Sequence, residues 1–223
     1  MNTLSNVKTR RGEANPPDIS FTTNAFPEAK CSKTGVSVRY EITPNKSWYV
    51  FRVSYGREDI AADFLIKTGT YTYIPKQYVI KYVRGKKKRI LQSLIPNLIF
   101  VYTTGNKAEE YVKNTPAMSY LSYYYNHFKH NNDLKNPPLT ISREEMENFI
   151  IATSTKSEHL RFVDEKQCHF KSGEIVKVNY GLFKGVEGRV ARVSGQQRVV
   201  ITLTQVGLVS TAYIPTAFLE VVN

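Results

Sequence analysis

Cysteine is nearly missing from this 223-residue chain. Cys31 and Cys168 stand far apart and in no CxxC spacing, so no disulfide framework organises the fold, and a reducing compartment is the simple expectation. Acid is scarce too: 19 Asp and Glu stand against 31 Lys and Arg, for a formal net charge of +12. That balance favours anionic partners such as nucleic acid or acidic protein surfaces. Long apolar runs are also lacking. The longest, Leu94 to Tyr102, is interrupted by Pro96 and Asn97 and is too short to span a bilayer. The first residues carry no apolar signal core, so a cytoplasmic protein without a membrane partner is expected. His127, His130, His159 and His169 lack the Cys, Asp or Glu neighbours of a metal site. Glycine-rich phosphate loops and nucleophile elbows are missing as well. The expectation is therefore no catalytic residue, no metal, no cofactor and no enzyme.

What the chain does contain is 41% hydrophobic and 12% aromatic residues, enough for one large or two small cores. Residues 1–45 are polar and broken by Pro16, Pro17, Pro27 and Pro44. They read as a flexible N-terminal extension, with a short alternation at Val36, Val38 and Tyr40. From residue 46 the pattern changes. Trp48 to Ser54 is aromatic and β-branched, a strand signal. Ile60, Ala61, Phe64 and Leu65 share one face of a helix over about Arg57–Thr68, with Gly69 at its end. Tyr78, Ile80 and Tyr82 alternate as a strand. Gly85 to Arg89 then reads as a hairpin tip, and Leu98 to Tyr102 returns as a buried strand. A short helix over Lys107–Lys113 and an aromatic strand near Tyr120–Tyr125 follow. Ser142 with Glu145 three residues on is a capping-box start for a last helix, with Met146, Phe149 and Ile150 on one face. The order β-α-β-β-α-β-α predicts an α+β, ferredoxin-like domain over 46–153. Helices on one face of its sheet would leave the other face partly free for a partner.

Residues 154–167 are polar and aperiodic, and read as a linker. The module over 168–223 opens on two apolar runs, Ile175–Val178 and Val190–Val193, joined through Gly181, Gly185 and Gly188. Arg198–Thr204, Leu208–Ile214 and Phe218–Val222 add β-rich segments. Five short strands in about fifty residues predict a small SH3-like β-barrel.

Those residues carry a resemblance. Gly173 to Val193 resembles the KOW motif of the NusG transcription-factor family. Trp48-Tyr49-Val50, the Tyr55-Gly56-Arg57-Glu58 turn and Tyr73-Ile74-Pro75 resemble successive motifs of the family's N-terminal NGN domain. Leu94 to Val101 and Pro138 to Met146 do so as well. Asn97 and Leu98 stand where the common pattern has Gly and Tyr, and Ile95 replaces an aromatic. These departures resemble specialised, UpxY-like paralogues more than the housekeeping factor.

The resemblance implies an NGN domain plus a KOW barrel acting in transcription elongation or antitermination. RNA polymerase would be the main partner, its clamp helices seated on an apolar patch at Tyr73, Ile74, Ile95, Pro96, Leu98 and Phe100. The barrel loop at Val206, Gly207 and Leu208 would recruit a small-subunit ribosomal protein or Rho. Specialised relatives act on particular operons, those for polysaccharides among them. From the residues themselves, Lys86, Lys87, Lys88 and Arg89 could touch nucleic acid of the elongation complex, the alternative being a solvated hairpin tip. Tyr123-Tyr124-Tyr125 reads as a base-stacking platform or as alternate packing into a sheet. KOW-type barrels occur in ribosomal proteins too, so the competing reading is a ribosome-associated RNA-binding protein.

Overall fold

Alternation sets the first strand. Trp48 and Val50 turn to one side of β1 (Ser47–Val53), while Phe51 and Val53 turn to the other, and all four are buried. Both sides of this strand must therefore be covered. The computed structural model describes residues 42–127 and 135–222. The expectations for residues 1–41, Cys31 and the Val36–Tyr40 alternation among them, lie outside that range, as does His130.

β1 is central in an antiparallel sheet. It pairs with β5 (Leu98–Thr103) on one side and with the short β6 (Leu121–Tyr123) and β7 (Thr140–Ile141) on the other. Beyond β5 lies β2 (Tyr71–Tyr73). The order β2-β5-β1-β6 is the ferredoxin-like arrangement that the element order predicts. Every residue of β5 is buried, as an inner strand covered on both faces requires.

Two helices cover one face. From α1 (Glu58–Lys67), Ala61 and Leu65 pack with Phe51, Ile99 and Val101; from α2 (Gly105–Glu109) and the wider turn that continues it to Asn114, Ala108 and Tyr111 join them. The other face is not free, contrary to the sequence-based expectation. It is covered by α3 (Arg143–Ser154), whose Phe149 ring lies 5.4 Å from that of Phe100 and 6.2 Å from that of Tyr73. Ser142 caps this helix as expected, its hydroxyl accepting from the Glu145 N–H at 3.2 Å.

A second correction concerns Gly85 to Arg89. The turn is Arg84–Gly85, and Lys86 to Arg89 begin a strand, β4 (Lys86–Ser93), which pairs along its whole length with β3 (Lys76–Val83). The two strands form a ribbon of their own, separate from the main sheet. A lysine run carries little β-propensity, so the pairing is set by the Val79, Ile80, Ile90 and Leu91 pattern around it.

The C-terminal part is a six-stranded antiparallel sheet, SH3-like in its β-rich organisation, with the order β13-β9-β10-β11-β12-β8. Its strands are β8 (Arg161–Val163), β9 (His169–Val178), β10 (Glu187–Val193), β11 (Gln196–Leu203), β12 (Gly207–Tyr213) and β13 (Leu219–Val222). β8 falls in the stretch read as linker and pairs with β12 instead. Three residues are too few for a period to show. Register shifts between Arg189 and Ala191 and between Arg198 and Val200 mark bulges that bend the sheet.

Candidate interaction surfaces

The helix α3 is apolar on more than one side. Met146, Phe149 and Ile150 face the ferredoxin-like sheet, but Ile151, Ala152 and Thr153 are buried as well. Five successive buried residues, Phe149 to Thr153, pass right round the helix, so its C-terminal half sits between two layers. Here the second layer is the C-terminal sheet: one continuous apolar cluster runs from Trp48 and Phe100 through Phe149 to Val199, Ile201 and Leu203.

Polar contacts fasten this junction. The Asn148 side chain accepts from the Glu187 N–H at 2.8 Å and donates to the Glu187 carbonyl. One amide thus satisfies both backbone groups of a residue on β10, as a neighbouring strand would. The Thr204 hydroxyl donates to the Glu145 carboxylate at 2.5 Å. In the turn after β11, the Gln205 carbonyl accepts from the Tyr124 hydroxyl at 3.3 Å, and its side-chain oxygen accepts from the His127 N–H at 3.1 Å.

The six residues expected as one apolar patch do not form one surface. Ile95, Leu98 and Phe100 are buried in the cluster beneath α3, and Tyr73 packs against it. Ile74 packs against the other core, with α1. Pro96 alone of the six is exposed. Burial pushes the Tyr73 phenol well above its ordinary range, against the opposing effect of its hydroxyl's 2.6 Å hydrogen bond with Thr153. The physical reason for the difference is α3: its apolar face needs a sheet to cover, and the face that looked free is the one it takes.

Asn97 shows why a departure from the common glycine is tolerated. Its φ is 63°, in the left-handed region that asparagine enters more readily than most side chains. Its N–H donates to the Glu58 carboxylate at 2.6 Å, and its carbonyl accepts from the Val53 N–H at 2.9 Å. Glu58, a buried carboxylate at the start of α1, thus ties the helix to the turn before β5. Sequence reasoning placed Glu58 only in a turn motif; a single acid carries no spacing that reveals such a role.

Gly181 and Gly185 lie in the turn between β9 and β10, with φ of 83° and 90°. Gly188 is inside β10, where a Cβ would stand 2.5 Å from the Val200 carbonyl oxygen. Only glycine lets β10 and the strand carrying Val200, β11, approach so closely there. Val206, Gly207 and Leu208 border a groove of about 520 Å³ lined also by Phe162, Val163 and Gln205. The Phe162 ring lies against Gly207, and Val206 packs into the junction cluster. The tyrosine run alternates: Tyr123 packs toward α1 and α2, Tyr124 toward α3, and Tyr125 remains exposed. Tyr123 is pushed up to about 12 by burial, with the Glu109 carboxylate adding to the shift.

Lys86 to Arg89 are all exposed on the ribbon. Midway along it, Arg89 stacks 4.1 Å over the Tyr78 ring and reaches the Glu158 carboxylate at 3.7 Å.

The family model described as transcription termination factor NusG matches residues 46–150. Residues 46–150 belong to the NusG family. The match supports, in general terms, a role in transcription elongation or antitermination, and proteins of that family act with RNA polymerase. The match ends within α3, and the C-terminal sheet lies outside it. A solved structure described as "Domain interaction in Thermotoga maritima NusG" is 17% identical, over 80% of this chain and 98% of that one, with a TM-score of 0.38. No curated protein matches the chain. Among the described residues, no helix is long and apolar enough to cross a membrane.

Proposed function

We propose that this NusG-family protein is a specialised elongation and antitermination factor: its residues 46–153 dock on RNA polymerase, and its C-terminal KOW barrel recruits a second protein. The observation that carries the reading is the family match over residues 46–150. The factor works in the cytoplasm and without bond chemistry: a domain that binds the closed polymerase clamp better than the open one shifts the population toward the closed, pause-resistant state. The short tether between Thr155 and Leu160 keeps a barrel-bound partner at high local concentration.

The junction adds a condition. Ile95, Leu98 and Phe100 lie under α3, and the barrel covers the outer side of that helix. Polymerase therefore meets the α3 side of the domain only when the barrel leaves it, and the same step frees the Val206–Leu208 loop, whose neighbour Gln205 is held by Tyr124 and His127. A small-subunit ribosomal protein or Rho is the recruited partner. The departures at Ile95, Asn97 and Leu98 support a role on particular operons, polysaccharide operons being the proposed class.

Transcription in vitro through a pause site and a terminator, with and without the purified full-length chain, tests the activity. Increased read-through is expected; unchanged pausing and termination contradict it. Transcript profiling after deletion tests the specialisation: loss of distal reads in one or a few long operons supports it, and a genome-wide effect contradicts it.

A further inference from the structure

The ribbon of β3 and β4 carries more charge than the family reading uses. Residues 76–93 contain Lys76, Lys81, Arg84 and the Lys86–Arg89 run, and no Asp or Glu. Two of these cations are answered within the protein, Lys76 at the base by Asp59 at 2.5 Å and Arg89 midway along the ribbon by Glu158 at 3.7 Å. Among the described residues, the five toward the tip (Lys81, Arg84, Lys86, Lys87 and Lys88) have no ion-pair partner, and all five are exposed. Five exposed cations on one narrow arm, with no acid among them, make a concentrated positive surface that suits an anionic partner.

The register shows how they are distributed. Tyr82 stands opposite Lys87 and Ile80 opposite Arg89, on one face of the ribbon. Lys81 stands opposite Lys88 and Val83 opposite Lys86, on the other face. Arg84 is in the turn at the tip, with φ 51°. Cations thus point to both faces and forward. A strand of nucleic acid lying on a flat surface would call for charge on one face only. Charge on both faces matches a partner with an anionic wall on each side.

We propose that the β3–β4 ribbon inserts into the major groove of duplex DNA, its two faces meeting the phosphates of the two groove walls. The dimensions agree. Eight residues per strand give an arm of roughly 26 Å, and two strands about 4.8 Å apart fit a groove about 12 Å wide. An A-form RNA helix has a deep, narrow major groove that excludes such an arm. Tyr82, 76% exposed, lies between the lysines and offers its ring edge and hydroxyl to base edges and sugars. Tyr78, already stacked by Arg89, is not available as a base platform, which separates this surface from an aromatic single-strand site. The inference goes beyond polymerase docking and does not depend on it, because bare DNA is the ligand.

The test is fluorescence anisotropy of the full-length chain with a 30-base-pair DNA duplex, the matching single strand, the matching RNA duplex and polyglutamate. Duplex DNA is expected to bind tightest, with log affinity falling against log salt at a slope of about −4 to −5 for five phosphates. Between 50 and 200 mM salt this is a loss of roughly 500-fold. Lys81→Gln with Lys88→Gln removes two cations from one face, and Lys87→Gln removes the unpaired cation of the other. The pair is expected to weaken duplex binding about tenfold or more and to shallow the slope by about 2, and Lys87→Gln to weaken it about threefold or more and to shallow the slope by about 1. Unchanged thermal unfolding of both variants confirms that the fold is intact. The proposal is overturned if duplex DNA does not bind, if only one face matters, or if RNA duplex, single strand or polyglutamate binds as well as duplex DNA.

Discussion

The junction around α3 and the β3–β4 ribbon handle polar groups in opposite ways. At the junction Asn148 and Glu145 each find a partner on the barrel side, and the rest of the helix surface there is apolar and buried. On the ribbon a run of cations faces outward with no acid near the tip. A buried polar group must be answered from within the protein, because leaving it unpaired costs about 1–3 kcal/mol. An exposed cation costs little while solvated and can wait for an external anion. The difference teaches which surface is an internal contact and which is presented outward.

The largest expected effect is at the centre of the junction. Phe149→Ala removes a ring fully buried between Tyr73 and Phe100 and should destabilise the chain by about 3–5 kcal/mol, measured by denaturant unfolding. A loss below about 1 kcal/mol would mean that α3 is not the keystone described. Asn148→Ala should cost about 1–2 kcal/mol, because the Glu187 N–H and carbonyl lose their shared partner. Its more specific mark is faster proteolysis between residues 155 and 160 as the barrel detaches.

Alkali probes the same region more gently. The raised Tyr73 value means that the folded state holds its proton more tightly than the unfolded one, whose phenol titrates near the ordinary value of about 10. Stability from this group is full below about pH 10 and is lost as pH rises beyond it. Tyr73→Phe should flatten that alkaline loss in thermal unfolding followed against pH, at a cost of about 1 kcal/mol near neutrality. Identical alkaline profiles for both proteins would contradict the assignment. The smallest effect belongs to the ribbon: Lys81→Gln with Lys88→Gln should change stability by less than about 0.5 kcal/mol, since both side chains are exposed and are cross-strand neighbours of like charge.

Much of the ferredoxin-like order was legible because its signals are local. Alternation in Trp48–Val53 and the Ser142 cap act within a few residues and appear where expected; the helix with Ala61 and Leu65 inward also forms, although Ile60, read onto the same face, is exposed and Ala62 is buried instead. The glycine-rich turn was legible for a similar reason, with Gly181 and Gly185 in it at positive φ, although Gly188 answers to a strand rather than a turn. What stayed hidden is long-range. A lysine run does not announce a strand, so β4 was visible only through its pairing with β3. Three residues cannot show a period, so β8 was hidden in polar sequence. The covered sheet face was the largest miss, yet Ile151 and Ala152 beside Phe149 and Ile150 were its trace: one apolar stripe needs fewer residues than α3 carries.

The most direct test of the account is binding of core RNA polymerase to the immobilised full-length chain, measured side by side for the wild type and Asn148→Ala. The account expects the wild type to bind and the variant, whose barrel is loosened from α3, to bind several-fold more tightly, by roughly the 1 kcal/mol that the junction bond no longer contributes. Failure of both to bind polymerase would contradict the proposed function, and equal binding would contradict the role given to the junction.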